Sequence, residues 1–356
     1  LAISHYRVYT DMGYKSICAI SKSINCDTVS QSPFSIFLDV PVPIWGVFGY
    51  LCFLLLLYPA RKAPPGKSRL WPTLFVMALV FSIYSIVLAI ISMVFIHSYC
   101  IMCMASHAAN LMLAYFTWLI HKRFENRSIT SGIYKDIQWV RDHLKESVWF
   151  LGGVVGTILL LLFFTPRYWE MQTLPSGSEL SQGITAEGHP WIGASNPRLE
   201  ITEFTDYQCF QCKKMHFYLR EFMAGYPDTI RLIHRNFPMD HLYNPMVKEP
   251  YHIGAGKMAL FSLYAIKHDK FWEVSDFLFN IDTQNGHFNI REMARTAGFD
   301  VMEFANSVND RSLQQKLRAD ILEGIGLGIN GTPGYLIEGK VYVGHVPADI
   351  INSLRE

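Results

Sequence analysis

The feature that most constrains this chain is a run of 24 residues without a charge, at positions 73–96. At about 1.5 Å per residue, a helix of this length crosses the roughly 30 Å hydrocarbon core of a bilayer with some tilt. Three further apolar segments occur in the first half of the chain, at 43–58, 103–120 and 147–164. A buried core helix is the alternative for any one of them. Because polar connections separate all four, a multi-pass bundle of membrane helices is predicted.

The placement of basic residues predicts how these helices are oriented. The connection at 59–72 has four Lys or Arg residues and no acid, the connection at 121–146 has six, and the turn at 97–102 has none. By the positive-inside rule, 59–72 and 121–146 are cytoplasmic. Residues 1–42, the turn at 97–102 and everything after 165 then face the other side. The net charge of +1 favours neither a nucleic acid nor an acidic partner.

Six of the seven cysteines form three pairs, which are Cys18 with Cys26, Cys100 with Cys103, and Cys209 with Cys212. Charge alone places all three pairs on the non-cytoplasmic side, where disulfides form and persist. A dithiol passes two electrons by thiol–disulfide exchange, so paired cysteines can act in series. An electron relay is predicted. The seventh cysteine, Cys52, lies in an apolar run and is expected to be a small core residue.

Composition divides the chain into four parts. Residues 1–120 are predicted to form the membrane domain with the first two pairs, and 121–165 a cytoplasmic connection and one more transmembrane helix. Residues 166–190 are polar and contain Pro, Gly and Ser, which is typical of a linker. Residues 191–356 have the pattern of a soluble α/β domain, with a helical insertion at 254–325 and a closing strand, turn, strand and helix.

The third cysteine pair lies at a predicted strand-to-helix junction. The N-terminus of a helix offers unpaired N–H groups and a positive dipole end, which stabilise a thiolate at Cys209. Cys212 follows on the first turn, where it can close a disulfide. A CxxC motif can also supply two of the four ligands of a zinc site, although no second CxxC or CxxH follows in this domain. His216, four residues after Cys212, keeps a metal open as an alternative.

The segments ITEFTDYQCFQCKKMH and GINGTPGYLIEGKVYVG together resemble the thioredoxin superfamily, and more closely the periplasmic thiol oxidases of the DsbA type. The resemblance covers about 191–356 and implies that Pro333, after Thr332, is cis and lies beside the active disulfide. It also implies that Glu203 is a buried acid that takes part in proton transfer. An exposed strand residue is the alternative for Glu203. The dipeptide Phe210-Gln211 departs from the Pro-His common in that family.

The membrane half carries a second resemblance. Cys18 and Cys26 are separated by seven residues in a polar segment that is expected to move between partners. Cys100 and Cys103 stand where one span ends and the next begins, with Cys100 expected to face water and Cys103 to begin a helix in lipid. This arrangement resembles the vitamin K epoxide reductase family over roughly 1–120, without the family's first span. We expect an earlier helix to precede the given sequence.

The resemblance to vitamin K epoxide reductases implies a four-helix core and a quinone, either ubiquinone or menaquinone, bound at Cys103. Ser32 matches a serine near the quinone site of that family. His107 stands where animal members carry a tyrosine. Ionisable groups within a membrane are usually functional, and a hydrogen bond to a neighbouring helix is the alternative for His107.

The whole chain resembles bacterial fusions of such a reductase homologue with a thioredoxin-like domain. They imply a thiol oxidase of the bacterial inner membrane that introduces disulfides into secreted or periplasmic proteins. Electrons would pass from substrate thiols to Cys209, with Cys212 as the resolving thiol, and then through the two membrane pairs to the quinone. We expect Cys26 to attack Cys100. The predicted partners are reduced proteins and the lipid bilayer, with no nucleic acid.

Two other functions compete with this one. A membrane-tethered reductase or isomerase would move electrons outward, but it would need a cytoplasmic electron source, and no cysteine lies in the predicted cytoplasmic segments. A copper-handling module could use the thiols with Met102, Met104 and Met215 as soft ligands. Three pairs without a shared ligand set argue against it.

Overall fold

The computed structural model describes residues 1–21, 23–62, 70–124, 128–171, 180–281 and 289–355. Its contacts divide the chain into two compact units, Leu1–Glu170 and Met171–Glu356. The first unit is helical with apolar spans and the second is α/β, so the predicted fold class is confirmed.

The first unit is mainly helical. In the part of the chain that the structure describes, its helices are α1 (Ala2–Thr10), α2 (Cys26–Ser30), α3 (Val42–Lys62), α4 (Trp71–Ile91), α5 (Ile101–Phe124), α6 (Ile129–Asp142) and α7 (Leu144–Phe164). A 3-10 turn at Pro33–Ser35 leads into a small hairpin of β1 (Ile36–Phe37) and β2 (Val40–Pro41). A π-helical turn, Ser92–Ile96, continues α4.

Three helices among the described residues are long and apolar enough to cross a membrane, which are Val42–Lys62, Trp71–Ile96 and Ile101–Arg123. The fourth predicted span corresponds to α7. Its described apolar stretch, Val148–Phe164, is shorter. At about 1.5 Å per residue that stretch extends roughly 25 Å, which is less than the thickness of the hydrocarbon core. Three spans are therefore supported by length and composition, and the fourth stays a prediction.

The amphipathic helix predicted before the last span is α6. Its buried residue Asp136 accepts hydrogen bonds from the Thr73 hydroxyl at 2.7 Å and the Thr73 backbone N–H at 3.2 Å. A carboxylate at the first turn of α4 satisfies an N–H group that the helix itself leaves unpaired. This contact fixes α6 against the start of α4. Much of the basic connection predicted at 59–72, and part of that at 121–146, lies outside the described residues.

The second unit is built on a six-stranded sheet in the order β3-β4-β6-β5-β7-β8. Its strands are β3 (Gln182–Ile184), β4 (Pro190–Gly193), β5 (Leu199–Thr205), β6 (Ile230–Asn236), β7 (Gly334–Ile337) and β8 (Lys340–Val343). Its described helices are α8 (Phe210–Gly225), α9 (Ala255–Ile266), α10 (Phe271–Asn280), α11 (Ile290–Thr296), α12 (Val301–Asn306), α13 (Arg311–Gly326) and α14 (Ala348–Ser353). Strands β5 and β6 are parallel because α8 crosses over between them. The other neighbouring pairs are antiparallel.

The predicted linker at 166–190 contains an element that its composition concealed. Strand β3 lies inside it and pairs antiparallel with β4. Gly183 fits there because its backbone lies against the Trp191 ring, where a Cβ would come within 2.8 Å. A polar, glycine-containing edge strand has no apolar alternation, so its sequence resembles a linker. Residues 172–179 lie outside the described residues.

The final hairpin matches the sequence prediction and positions the start of β7. Glu338 and Gly339 join β7 to β8 with φ values of 48° and 76°. Positive φ at both central residues is typical of the tight turns that suit the twist of paired strands. The hairpin holds β7 antiparallel to β5, and the peptide bond between Thr332 and Pro333, just before β7, is cis as predicted.

Candidate thiol–disulfide sites

The first unit holds two disulfides in one cluster. Cys18 is bonded to Cys26 and Cys100 to Cys103, with Cα–Cα distances of 5.6 and 5.1 Å. The first three of these cysteines are buried together, and Cys103 packs against them half-buried. The structure thus brings together two of the three predicted pairs. Cys52 is a free, half-buried thiol within α3.

Backbone hydrogen bonds hold the two disulfides side by side. The Asn25 N–H donates to the Tyr99 carbonyl at 3.0 Å, and the Tyr99 N–H donates to the Ser23 carbonyl at 2.7 Å. Cys26 directly follows Asn25, and Cys100 directly follows Tyr99. The short bridge therefore fixes the loop that carries Cys26 beside the residue before Cys100.

Two sequence expectations about these cysteines were wrong. Cys100 does not face water, since it is only 3% exposed and packs against the Cys18–Cys26 disulfide. The loop pair is also not a free arm in this structure. Asn25 caps α2 with its side chain while its backbone bonds to Tyr99, so Cys26 is held at the start of a short helix.

Cys103 occupies the first turn of α5, where its N–H donates to Cys100 Sγ at 3.1 Å. His107 lies one turn further along the same helix and is half-buried. Ser32 is buried, and its hydroxyl donates to the Val29 carbonyl at 2.8 Å. Because Val29 packs against the cysteine cluster, Ser32 lies close to it, with a hydroxyl oxygen that can accept but a proton that is already bonded.

A polar network inside the helical unit was missed at the level of sequence. The Tyr50 hydroxyl donates to Asn110 Oδ1 at 2.7 Å and lies 3.2 Å from Ser106 Oγ. The Asn110 amide donates to Ser85 Oγ at 2.8 Å. Ser106 and Asn110 follow Cys103 by three and seven residues, so all three share one face of α5. The sequence did offer a signal for this network, because Asn110 is a polar residue in an apolar span, two turns after Cys103.

The third pair, in the second unit, has the predicted strand–turn–helix setting. Cys209 is the N-cap residue of α8 and is half-buried, whereas Cys212 is 1% exposed. Both are free thiols. The Cys209 thiol donates to the Thr332 carbonyl at 3.3 Å, which places the cis peptide of Pro333 beside the cysteines.

The two thiols of this pair differ in acidity. A hydrogen bond from the Cys212 thiol outweighs burial and lowers the pKa of Cys209 to about 7, with a further contribution from the positive charge of His252. Burial raises the pKa of Cys212 well above its usual value. Cys209 is therefore the sulfur that carries a thiolate near neutral pH, and Cys212 is the one that keeps its proton.

Glu203 is buried, so the exposed alternative for this residue was wrong. Its Oε1 lies 2.9 Å from His234 Nδ1 on the adjacent strand β6, and Tyr335 of β7 faces it from the other side. Thr205, two residues further along β5 on the same face, hydrogen-bonds to Cys212. The sequence around Glu203 did not predict that His234 lies beside it.

Two other acid–imidazole pairs lie near the cysteines. His216 is fully buried, and its Nε2 lies 2.6 Å from Asp276 Oδ1 of α10. The residue that the sequence offered as a metal ligand is thus engaged with a carboxylate of another helix. The second pair joins Asp206, at the end of β5, to His252 at 2.9 Å. These two residues are 46 apart in sequence, so no local pattern predicted their contact.

Dithiols in both units define a thiol–disulfide oxidoreductase associated with a membrane, and two family models agree with this class. Residues 1–118 match the model of the Vitamin K epoxide reductase family, and residues 185–354 match a thioredoxin model. The chain therefore joins a vitamin K epoxide reductase family domain to a thioredoxin-like domain, as the two resemblances implied.

Individual proteins resemble the chain at low sequence identity. A thioredoxin-like oxidoreductase from Silicibacter pomeroyi has 20% identity and a TM-score of 0.39, over 47% of this chain and 90% of that one. Wolbachia pipientis α-DsbA1 has 18% identity and a TM-score of 0.39, over 48% and 92%. The Na(+)/H(+) antiporter NhaA of Herminiimonas arsenicoxydans is 22% identical over 57% of this chain and 31% of its own length. NhaA 1 of Mycolicibacterium gilvum is 24% identical over 52% and 29%. The chain spans less than a third of either antiporter.

Proposed function

We propose that this chain is a quinone-dependent thiol oxidase that introduces disulfide bonds into secreted proteins. The observation that supports it most is the packing of the Cys18–Cys26 disulfide against Cys100 and Cys103 in one buried cluster. Neighbouring disulfides exchange when a thiolate of one attacks a sulfur of the other. The dithiol of the thioredoxin-like unit supplies the link to substrate thiols.

In the proposed first step, a substrate thiolate attacks Cys209 in the oxidised Cys209–Cys212 pair. A bond forms between the substrate and Cys209, and Cys212 leaves and takes up a proton. A second substrate thiolate then attacks the substrate sulfur of this mixed disulfide, which releases the oxidised substrate and leaves the electron pair on Cys209. The lowered pKa of Cys209 makes it a good leaving group at neutral pH.

In the proposed second step, the Cys209 thiolate attacks the Cys18–Cys26 disulfide. Cys212 then resolves the mixed disulfide, which restores the Cys209–Cys212 bond and leaves Cys18 and Cys26 as thiols. Because burial raises the pKa of Cys212, it needs a base to give up its proton. We assign that role to Glu203, which is buried on the same face of β5 as the Thr205 side chain that contacts Cys212.

In the proposed third step, Cys26 attacks Cys100. The backbone hydrogen bond between Asn25 and Tyr99 supports Cys26 as the attacking sulfur, because it fixes the neighbours of these two cysteines side by side. Cys103 then leaves as a thiolate on the first turn of α5, where the positive end of the helix dipole stabilises it. Cys18 next attacks Cys26 in the Cys26–Cys100 mixed disulfide, which restores the Cys18–Cys26 bond and releases Cys100 as a thiol.

The residues around Cys103 fit a quinone, because an apolar helix surface there carries hydrogen-bonding groups. Cys103 and His107 would hold the group on α5, and the hydroxyl oxygen of Ser32 could accept a hydrogen bond only from the reduced hydroquinone, because a quinone itself has no donor. The Tyr50 and Asn110 network lies further along the same face. When bound, ubiquinone or menaquinone supplies the final acceptor, which takes two electrons and two protons.

The proposal includes a topology. The basic connections at 59–72 and 121–146 support an arrangement with all three cysteine pairs on the extracytoplasmic side of a bacterial inner membrane. Because the two units belong to one chain, each keeps the other at a high effective concentration, so their docking faces can be weak.

The test is anaerobic mixing of the purified full chain in detergent with a reduced peptide and ubiquinone, followed by quinone absorbance. We expect quinone reduction in a one-to-one ratio with new peptide disulfides, lost in Cys103→Ala and in Cys209→Ala. Peptide disulfide exchange without any quinone reduction would contradict the proposal and favour a reductase or isomerase.

A further inference from the structure

An acid–imidazole pair, Asp206 with His252, lies at the edge of the thioredoxin-like site. The Asp206 side chain is fully buried, while the imidazole keeps 17% of its side-chain surface in contact with solvent. The two residues between the cysteines of this site, Phe210 and Gln211, carry no charge. The charge of an imidazolium at this position therefore comes from a distant loop and not from the CxxC segment.

Asp206 connects His252 to both cysteines. Its carboxylate accepts two backbone N–H groups, at 2.6 and 2.7 Å, in addition to its contact with His252. Its own N–H donates to Cys212 Sγ at 3.5 Å, and its carbonyl accepts from the Cys209 N–H at 3.0 Å. One residue thus touches both sulfur-bearing residues through its backbone and the imidazole through its side chain.

The loop that carries His252 is held at the residue that follows it, and the imidazole itself is stacked. The Gln208 side-chain amide donates to the Ile253 carbonyl at 2.7 Å. The Tyr251 ring stacks on the imidazole with 4.0 Å between the ring centroids. His252 itself has a φ of 43°, in the left-handed region that side chains seldom adopt. The direction of the imidazole is therefore set by the fold.

Several charged and titratable groups surround His252. They are Asp206, Tyr251, Cys209 and, on the loop after β6, Asp240, whose carboxylate accepts the N–H groups of Gly254 and Gly256. Burial raises the pKa of Tyr251 to about 12, and the negative charge of Cys209 adds to the rise. Both residues of the stacked pair therefore lie within electrostatic reach of Cys209.

We infer that His252, held by Asp206, is a positioning residue whose imidazolium stabilises Cys209 as a thiolate each time the bond to a substrate sulfur breaks. The inference deepens the proposed function and rests on it for its place in turnover. When the second substrate thiolate attacks the mixed disulfide, the electron pair of the broken bond stays on Cys209, and His252 keeps its own proton. The thiolate of this site would thus be stabilised by a charge outside the CxxC segment.

The variant His252→Asn tests this inference. An asparagine amide nitrogen takes the place of Nδ1, so the bond to Asp206 is kept while the charge is lost. His268→Asn makes the same chemical change at an exposed position just after α9 and serves as the control. The readout is the rate at which iodoacetamide alkylates Cys209 in the reduced full chain, followed against pH by mass spectrometry of the Cys209 peptide.

We expect the midpoint of the alkylation profile to rise from about 7 in the wild type to about 8 in His252→Asn. At pH 7 this shift slows alkylation about fivefold, because the thiolate fraction falls from about one half to about one tenth. The His268→Asn profile should coincide with the wild type. His252→Arg, which restores a positive charge, should move the midpoint back.

An unchanged midpoint in a folded His252→Asn chain would overturn the inference, and so would an equal shift in His268→Asn. If His252→Asn does not fold, His252→Gln is measured in the same way with the same two outcomes. The readout uses neither quinone nor substrate. A shifted midpoint in a chain that fails to reduce quinone would therefore refute the proposed function alone, whereas an unshifted midpoint in an active chain would refute only the role of His252.

Discussion

The dithiols of the two units differ in how they meet a partner. In the membrane unit, Cys26 and Cys100 are buried together, and backbone hydrogen bonds join the residues that precede them, so the two sulfurs are fixed neighbours. In the thioredoxin-like unit, Cys209 is half-buried at a helix N-terminus and Cys212 is hidden behind it. Under the proposed function, the first arrangement would favour exchange by placement, and the second would favour exchange by control of the charge on one accessible sulfur.

The largest expected effect separates these two modes. Cys26→Ala should reduce steady-state quinone reduction to background, because the fixed exchange loses its attacking sulfur. A single round of disulfide transfer from the oxidised Cys209–Cys212 pair to a reduced peptide should remain. Stopped-flow measurement of quinone and quench analysis of the peptide follow both steps. Loss of the single round in a folded Cys26→Ala chain would break the distinction between the units.

The next effect concerns the proton of Cys212. Glu203→Gln should slow reoxidation of the reduced Cys209–Cys212 pair about 10²-fold at pH 7, since general-base catalysis typically contributes that much or more. Glu200→Gln, at an exposed position on the same strand, should have little effect. Acid-quench trapping of the thiols gives the rate. Equal rates in the two variants would remove Glu203 from the mechanism.

A pH profile sharpens the contrast between exposed and buried sulfur. The pKa of Cys209 is depressed to about 7, so its thiolate is fully formed at high pH and is lost as the pH falls through 7. Alkylation of Cys209 should therefore rise about tenfold between pH 6 and 8. Burial raises the pKa of Cys212 well above its usual value, so Cys212 should stay unmodified over that interval. Comparable labelling of both cysteines at pH 7 would contradict this difference.

A smaller effect tests the placement of Cys26. Asn25→Ala removes the side-chain cap of α2, which accepts from the N–H groups of Asp27 and Thr28. A lost cap typically costs about 1 kcal/mol, which corresponds to about a fivefold change in the population of the held loop. Internal electron transfer to quinone should slow by about that factor. Ser23→Ala, which keeps the backbone carbonyl that binds Tyr99, is the matched control and should transfer at the wild-type rate.

The smallest effect is expected at Cys52. Cys52→Ala should leave quinone reduction within about twofold of the wild type, because this thiol is unpaired and half-buried within α3. The quinone absorbance assay measures it. A folded Cys52→Ala chain without activity would show that the relay has a member outside the three pairs.

Sequence predicted the elements that local chemistry determines. The pairing of cysteines, the strand before Cys209, the helix after it and the final turn all follow from short patterns, and the structure has them. The resemblance to two families supplied the cis bond at Pro333 and drew attention to Glu203. The features that short patterns predict depend on residues that are neighbours in the chain.

What sequence missed depends on contacts between distant segments. His252 meets Asp206 only because the loop before α9 folds back onto the end of β5, and His234 meets Glu203 only through the register of two parallel strands. Cys100 is buried by a loop more than 70 residues earlier in the chain. The charge pattern of the sequence predicts that such a residue faces water, because it carries no information about which loop covers the residue.

In the proposed mechanism, electrons pass between the two membrane disulfides directly from Cys26 to Cys100. The variant Cys18→Ala with Cys103→Ala leaves these two cysteines without their usual partners, and the matched variant Cys26→Ala with Cys103→Ala leaves Cys18 instead. Both full-length chains are oxidised in detergent, digested without reduction and analysed by mass spectrometry. We expect a Cys26–Cys100 disulfide in the first variant and free Cys18 and Cys100 in the second. Free Cys26 and Cys100 in the first variant, or a Cys18–Cys100 disulfide in the second, would contradict it.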